Sequence, residues 1–168
     1  MVIFNNYFLQ TERSPYKEIE RKYLIHHIPE NLTVTETHHI EQGYLCTKPV
    51  VRIRRQDDSY FLTYKSKGFM SREEYNLPLT KEAYEHLRTK TDGVYIKKTR
   101  YIIPADMGLQ IELDIFHGAH KGLMLAEVEF PDEQTALNYQ PPVWLGEEVT
   151  FSEKFHNSYL SQHPFISA

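Results

Sequence analysis

Cysteine, long apolar runs and any dominant sign of charge are all scarce in this chain, and each shortage removes a class of protein. With Cys46 as its one cysteine, the chain cannot close an intramolecular disulfide, so a reducing, cytoplasmic compartment is the expectation. No stretch approaches the roughly 18 apolar residues of a membrane span. The opening MVIFNNYFLQTERSPY lacks a basic region followed by an apolar run, so no secretion signal is expected there. Nineteen Lys and Arg against 23 Asp and Glu leave a formal net charge of −4, which argues against a nucleic-acid binder relying on a basic surface. The composition is otherwise ordinary, 40% hydrophobic and 25% charged, and 168 residues suffice for one core. No linker, repeat or low-complexity tract divides the chain. Residues 1–168 therefore read as one domain, with 1–15 as an N-terminal extension.

What the chain does have is two-residue periodicity. Segments 16–28, 32–40, 43–55, 59–67, 71–78, 94–103, 109–116 and 123–130 read as strands, separated by turn signals such as RQDDS, SKG, TDG, PADMG and HGAHKG. Helices are fewer. LTKEAYEHLRTKTDG offers Thr80 as an N-cap, apolar Ala83, Tyr84 and Leu87, and Gly93 past the end. PDEQTALNY starts at a capping Asp132, and SEKFHNSYL at a capping Ser152. The fold class is mainly β (α+β): an antiparallel β domain with a few helices packed on it.

The charges follow the same period. YKEIERKYLI puts Glu18, Glu20 and Lys22 on one face of a strand. VVRIRR pairs Arg52 with Arg54, YFLTYKSKG pairs Lys65 with Lys67, SREEYNLP pairs Glu74 with Asn76, and IKKTRYII pairs Lys98 with Arg100. LQIELDIF sets Glu112 and Asp114 against Ile111, Leu113 and Ile115, and MLAEVEF sets Glu127 and Glu129 against Ala126, Val128 and Phe130. Half-buried antiparallel strands commonly alternate in this way, with a solvated polar face. Here, however, the pairs are sorted by sign, and like charges side by side on a strand repel unless a counter-ion lies near. A closed sheet with these faces inward would make a charged tunnel, the inverse of a barrel filled with apolar side chains. Such an interior must stay wet or bind something, because unpaired buried charge costs several kcal/mol per group. Carboxylates suit a hard divalent cation, and guanidinium and ammonium groups suit phosphate oxygens. Together they are the two halves of a metal–polyphosphate site.

The order of motifs resembles the CYTH domain, also called the triphosphate tunnel metalloenzymes. Glu18, Glu20 and Lys22 match that family's first-strand E-x-E-x-K. QGYL (42–45), VRIR (51–54), LTYK (62–65), SREEY (71–75), KKTRY (97–101), IELDIFHG (111–118), LAEVEF (125–130) and WLGEEVT…FHNSYL (144–160) resemble its successive elements. The resemblance implies an eight-stranded antiparallel β-barrel tunnel with SEKFHNSYL as a C-terminal helix plugging one end. It implies metal-dependent hydrolysis of inorganic tripolyphosphate to pyrophosphate and phosphate, with Mg²⁺ or Mn²⁺ as cofactor. Glu18, Glu20, Glu112, Asp114, Glu127 and Glu129 would serve the metal. Lys22, Arg52, Arg54, Lys65, Lys98 and Arg100 would hold the triphosphate, and Lys98, Glu74 and Arg100 are the catalytic candidates. The partner is then a small triphosphate, with no nucleic acid or membrane, and the protein is a monomer or homodimer. The alternatives are an organic-triphosphate enzyme (a class IV adenylate cyclase or a thiamine triphosphatase) and a non-catalytic polyphosphate-binding module. Two positions depart from the pattern: Asn76 replaces the second carboxylate of R-x-E-x-E, and Lys154 and Phe155 replace Arg-Tyr ahead of Asn157.

Other residues read as structural. Adjacent histidines on a strand point to opposite faces, so His26–His27 and His38–His39 do not chelate by themselves. Cys46 has the setting of a buried thiol, Trp144 that of a packing anchor beneath the C-terminal helix, and Tyr44 of QGYL is a lesser candidate for tunnel contact.

Overall fold

Eight strands close on themselves. The computed structural model describes residues 16–165. In it β1 (Lys17–Leu24), β2 (Glu36–Thr47), β3 (Val50–Gln56), β4 (Ser59–Lys65), β5 (Ser71–Pro78), β6 (Asp92–Pro104), β7 (Gln110–His117) and β8 (Met124–Glu129) are antiparallel neighbours in the order β5-β4-β3-β2-β6-β7-β8-β1. β1 pairs back onto β5 through Lys17↔Glu73, Glu18↔Arg72 and Ile19↔Ser71, which completes the barrel. A two-residue strand, β9 (Glu147–Glu148), continues that edge beside Tyr23 and Leu24. The expected N-terminal extension, 1–15, lies outside the described residues. No helix among the described residues is long and apolar enough to cross a membrane.

Register decides which face is inside. Directly paired residues share a face, and the pairs Lys22↔Glu127, Glu112↔Glu127, Arg100↔Asp114, Lys65↔Glu74 and Tyr44↔Arg52 all bring the charged phase inward. The opposite phase of β1, β6, β7 and β8 supplies Ile19, Tyr23, Ile103, Ile111, Leu113, Ala126 and Val128 to a core outside the barrel wall. Ala136 of α2 (Glu133–Asn138), Tyr139 and Leu145 cover it. Each large apolar side chain fully buried contributes about 1.5–3 kcal/mol, so much of the apolar cohesion sits outside the barrel wall and the middle of the interior is left to charge. Thr80 and Asp132 cap their helices as expected: Ala83 N donates to Thr80 Oγ1 at 3.2 Å, starting α1 (Lys81–Arg88), and Thr135 N donates to Asp132 Oδ1 at 2.7 Å.

Several boundaries differ from the sequence reading. The break expected between residues 40 and 43 does not occur; β2 runs on to Thr47 with a register shift near Tyr44. Gly43 permits this, because a Cβ there would sit 2.7 Å from the Tyr95 ring. The C-terminal helix expected from Ser152 is broken into a 3₁₀ turn (Glu153–Phe155) and a single helical turn, α3 (Asn157–Leu160), and Ser152 makes no side-chain cap. The break lets Phe155 pack on the apolar end while His156–Ser158 face the interior.

That segment still plugs one end of the barrel. Inward-facing Tyr44, Ile96, Phe116 and Leu125 form a floor with Val149 and Leu160. His120 Nε2 lies 2.8 Å from the Leu160 carbonyl, and Val94 N donates to the Ser161 carbonyl at 2.8 Å. Cys46 is exposed rather than buried, since it falls on the outer side of the β2 irregularity. Trp144 packs against the outer core and not beneath α3.

Candidate active site

The interior charges lie on facing strands and pair by reach. Lys65 Nζ donates to both Glu18 oxygens at 2.8 Å, and Arg72 Nε donates to Glu18 Oε2 at 2.8 Å. The other arm of Arg72, Nη2, donates to Glu20 Oε1 at 2.9 Å. Lys22 Nζ lies 2.8 Å from Glu127 Oε1 and 3.9 Å from Glu20 Oε1. From β6, Arg100 donates Nε to Asp114 Oδ1 at 2.8 Å and Nη2 to Asp114 Oδ2 and Glu127 Oε2 at 2.7 Å, while Nη1 reaches Glu112. Lys98 pairs with Asp114, and Lys65 also with Glu74.

One cavity of about 360 Å³ runs among these groups. Glu18, Glu20 and Lys22 line it from β1, Arg52 and Arg54 from β3, and Lys65 and Glu74 from β4 and β5. Lys98, Arg100, Glu112, Glu127 and Glu129 complete the set from β6 to β8. Asp114 does not border the cavity: at 1% exposure it stands behind Lys98 and Arg100, its oxygens taken up by those two cations. The structure thus gives it the geometry of a counter-charge that aims them. Lys67 is exposed and off the cavity, because β4 ends at Lys65.

Sequence reasoning passed over several lining residues. Arg72 shares the phase of Glu74, and Glu36 and His38 share the phase of Tyr44, so period two could have found them. Tyr44, the lesser candidate, does line the cavity. His156, Asn157 and Ser158 come from a segment without periodicity, and only the resemblance over FHNSYL points to it.

The electrostatics are uneven. Burial, with the Glu18 and Glu127 charges close by, pushes the Glu20 carboxyl up to about 7. Burial also works to raise Glu18 and Glu127. Lys65 and Arg72 beside the first, and Lys22, Lys98 and Arg100 beside the second, outweigh it and hold both well below the usual range. Burial lowers the Lys98 ammonium to about 8, with Arg100 assisting and Asp114 opposing. Arg54 falls to about 10 through burial and repulsion from Arg52 and Arg100. Among the described residues, Arg52 Nε and Arg54 Nε are buried with no acceptor. Among the described residues no three His, Cys, Asp or Glu side chains converge into a ready-made metal cage. The donor chemistry nevertheless fits a hard cation: Glu18, Glu20, Glu127 and Glu129 border one cavity, and Glu20 is held neutral up to about pH 7 partly by the repulsion an ion would relieve.

A model of the CYTH domain matches residues 16–161. The chain belongs to the CYTH family. Two relatives of this CYTH protein are named inorganic triphosphatase. That of Nitrosomonas europaea is 40% identical over 149 residues, covering 86% of this chain and 96% of the relative. That of Acetivibrio thermocellus is 34% identical over 154 residues, covering 89% and 96%. The crystal structure of the inorganic triphosphatase NE1496 matches the CYTH barrel described above with a TM-score of 0.64 at 37% identity, covering 86% of this chain and 93% of the other. Membership of the family implies dependence on a metal ion.

Proposed function

We propose that this CYTH protein is an inorganic triphosphatase that cleaves tripolyphosphate to pyrophosphate and phosphate, with Mg²⁺ or Mn²⁺ at its carboxylates. The observation that carries the reading is the pair of guanidinium groups Arg52 and Arg54: among the described residues their buried Nε atoms have no acceptor, and Arg52 and Arg100 repel the Arg54 charge. A bound polyanion relieves that repulsion and supplies the missing acceptors.

In this reading Arg52, Arg54, Lys65 and Arg100 hold the chain of phosphates, and Lys22 closes the β1 side. Glu18, Glu20, Glu127 and Glu129 hold the ion, with Glu112 at the margin. The ion supplies charge neutralisation at phosphate oxygens and lowers the pKa of a bound water. Lys98, buried and lowered to about 8, is poised to donate a proton or hydrogen bond to the leaving pyrophosphate oxygen as the terminal P–O bond breaks. Arg100, fixed by Asp114, faces the charge developing on the phosphoryl oxygens. Glu74, held by Lys65, accepts the proton of the attacking water. Every one of these groups comes from a single barrel, so a monomer carries a complete site.

The test is phosphate release from tripolyphosphate, ATP and thiamine triphosphate in parallel, with Mg²⁺, Mn²⁺ or EDTA. Fast release from tripolyphosphate that EDTA stops is the expected result. Cyclic AMP and pyrophosphate from ATP, or binding without turnover of any of the three, would overturn the reading.

A further inference from the structure

The cavity mouth opposite the plug holds a constellation with no role in the mechanism above. Glu36 and His38 lie on the inner phase of β2, at the end away from Tyr44, and both border the cavity. His38 Nδ1 is 2.8 Å from Asp57 Oδ2, and His38 Nε2 is 3.2 Å from Glu36 Oε2. An ionised carboxylate only accepts, so toward Asp57 the ring donates from Nδ1, and its Nε2 edge stands against the Glu36 carboxylate.

The two carboxylates are not equivalent. Asp57 is locked in the β3–β4 turn: its Oδ1 accepts from His39 N at 2.8 Å, and its own N donates to the His39 carbonyl at 3.0 Å. Its backbone holds the left-handed conformation, φ 52, that Asp tolerates better than most residues. Among the described residues the Glu36 carboxylate meets only His38, and its side chain is 61% exposed. His38 pairs in register with Arg100, so its ring stands beside that guanidinium on the inner face of the wall.

From this geometry we infer that His38 is a further phosphate-contacting residue at the tunnel mouth. Asp57 positions it, and Glu36 occupies its Nε2 as an internal stand-in for a phosphate oxygen. The inference rests on the triphosphatase reading and adds to it a contact with opposite demands on two neighbours. Entering phosphate must displace Glu36, whose charge also opposes the incoming anion. Removing the ring nitrogen weakens binding, and removing the competing charge strengthens it.

The experiment compares wild type, His38→Asn and Glu36→Gln in tripolyphosphate hydrolysis and in orthophosphate inhibition, with calorimetric binding of tripolyphosphate in EDTA alongside. Asn keeps a short donor toward Asp57 and lacks Nε2. For His38→Asn the expected result is a KM raised about tenfold, the loss of one charge-assisted hydrogen bond, with kcat nearly unchanged. For Glu36→Gln, KM and the orthophosphate inhibition constant should both fall by about threefold. An unchanged KM in His38→Asn, or a KM that rises in Glu36→Gln, overturns the inference. Should His38→Asn fail to fold, Glu36→Gln alone decides, since an exposed carboxylate-to-amide change leaves the barrel intact. A wild type without turnover counts against the triphosphatase reading, while calorimetry still separates the two variants.

Discussion

Asn76 shows how one residue can depart from a family pattern without leaving a gap. Its Nδ2 donates to Glu74 Oε1 at 2.6 Å, and its Oδ1 accepts from Thr63 Oγ1 at 2.6 Å. The amide holds Glu74 while adding no charge beside it. Asn76→Glu would put a second carboxylate on the same face and delete the donor. We expect kcat/KM to fall by about three- to tenfold, with activity regained in Asn76→Gln; a gain in activity with Glu would show that the missing carboxylate mattered more than the amide. Arg54 presents the opposite case, a side chain the fold does not need. Its Nε is buried without an acceptor among the described residues, and burial with Arg52 and Arg100 disfavours its charge more than Glu74 and Glu112 support it. Arg54→Ala should therefore cut kcat/KM by about a hundredfold or more while leaving Tm level or slightly raised, read by phosphate release and scanning fluorimetry. At this scale the sequence was legible as far as phase: period two alone brought Glu18, Arg54 and Glu127 to one cavity. Depth was not legible. Glu112 and Asp114 have the same phase, yet only Glu112 borders the cavity, because which carboxylate lies under Lys98 and Arg100 depends on cross-strand reach.

Elements were readable where a periodic run met a turn signal and unreadable where contacts from elsewhere set the conformation. β4 to β8 fall near their expected spans, whereas the strand expected over 43–55 is divided at residues 48–49 between β2 and β3, and β2 continues through Gly43, where the Tyr95 ring leaves no room for a Cβ. The plug is the same problem at the C-terminus. Its shape answers to β6 and His120 rather than to helix propensity. Gly93 marks the point of contact: its φ is +71, and a Cβ there would sit 2.1 Å from the Ser161 carbonyl. Gly93→Ala combines left-handed strain with a backbone clash, so a loss of about 2 kcal/mol or more is expected, which lowers Tm by roughly 4–8 °C in a protein of this size. Hydrogen exchange should place the loosening at Val94 and residues 157–161. Destabilisation spread evenly over the barrel would mean that the plug is not a separately anchored element.

Across the whole molecule, apolar surface is packed outside the wall and at the plugged end while charge is gathered in the rest of the interior, so the interior's response to pH is a property of the fold. The lowered Glu18 and Glu127 carboxyls add stability that is lost only in acid, below about pH 4.5, and between there and neutrality two further shifts oppose each other. Glu20, raised to about 7, keeps its proton longer folded than unfolded, so its contribution falls as pH rises toward 7. His156, lowered to about 4 by burial and by Lys22 and Arg72, is protonated first in the unfolded chain, so its contribution rises with pH up to about 6.5. The window above is simpler. Lys98 is lowered to about 8 when folded and titrates near 10.4 when unfolded, so between those values the unfolded chain binds the extra proton. Stability in EDTA should therefore climb from about pH 8 to about pH 10, whereas a protein dominated by surface charge has no such limb. Tripolyphosphate added in EDTA, where turnover is stopped, should flatten the trend. At a hundredfold excess over Kd it stabilises by about 2.7 kcal/mol, roughly 5–10 °C in Tm, and the gain should shrink as Lys98 loses its proton above about pH 8. Scanning fluorimetry across this range, with and without tripolyphosphate, reads both slopes at once. Parallel curves would mean that the Lys98 charge does not face the bound anion, and the case for it as proton donor to the leaving group would go with it.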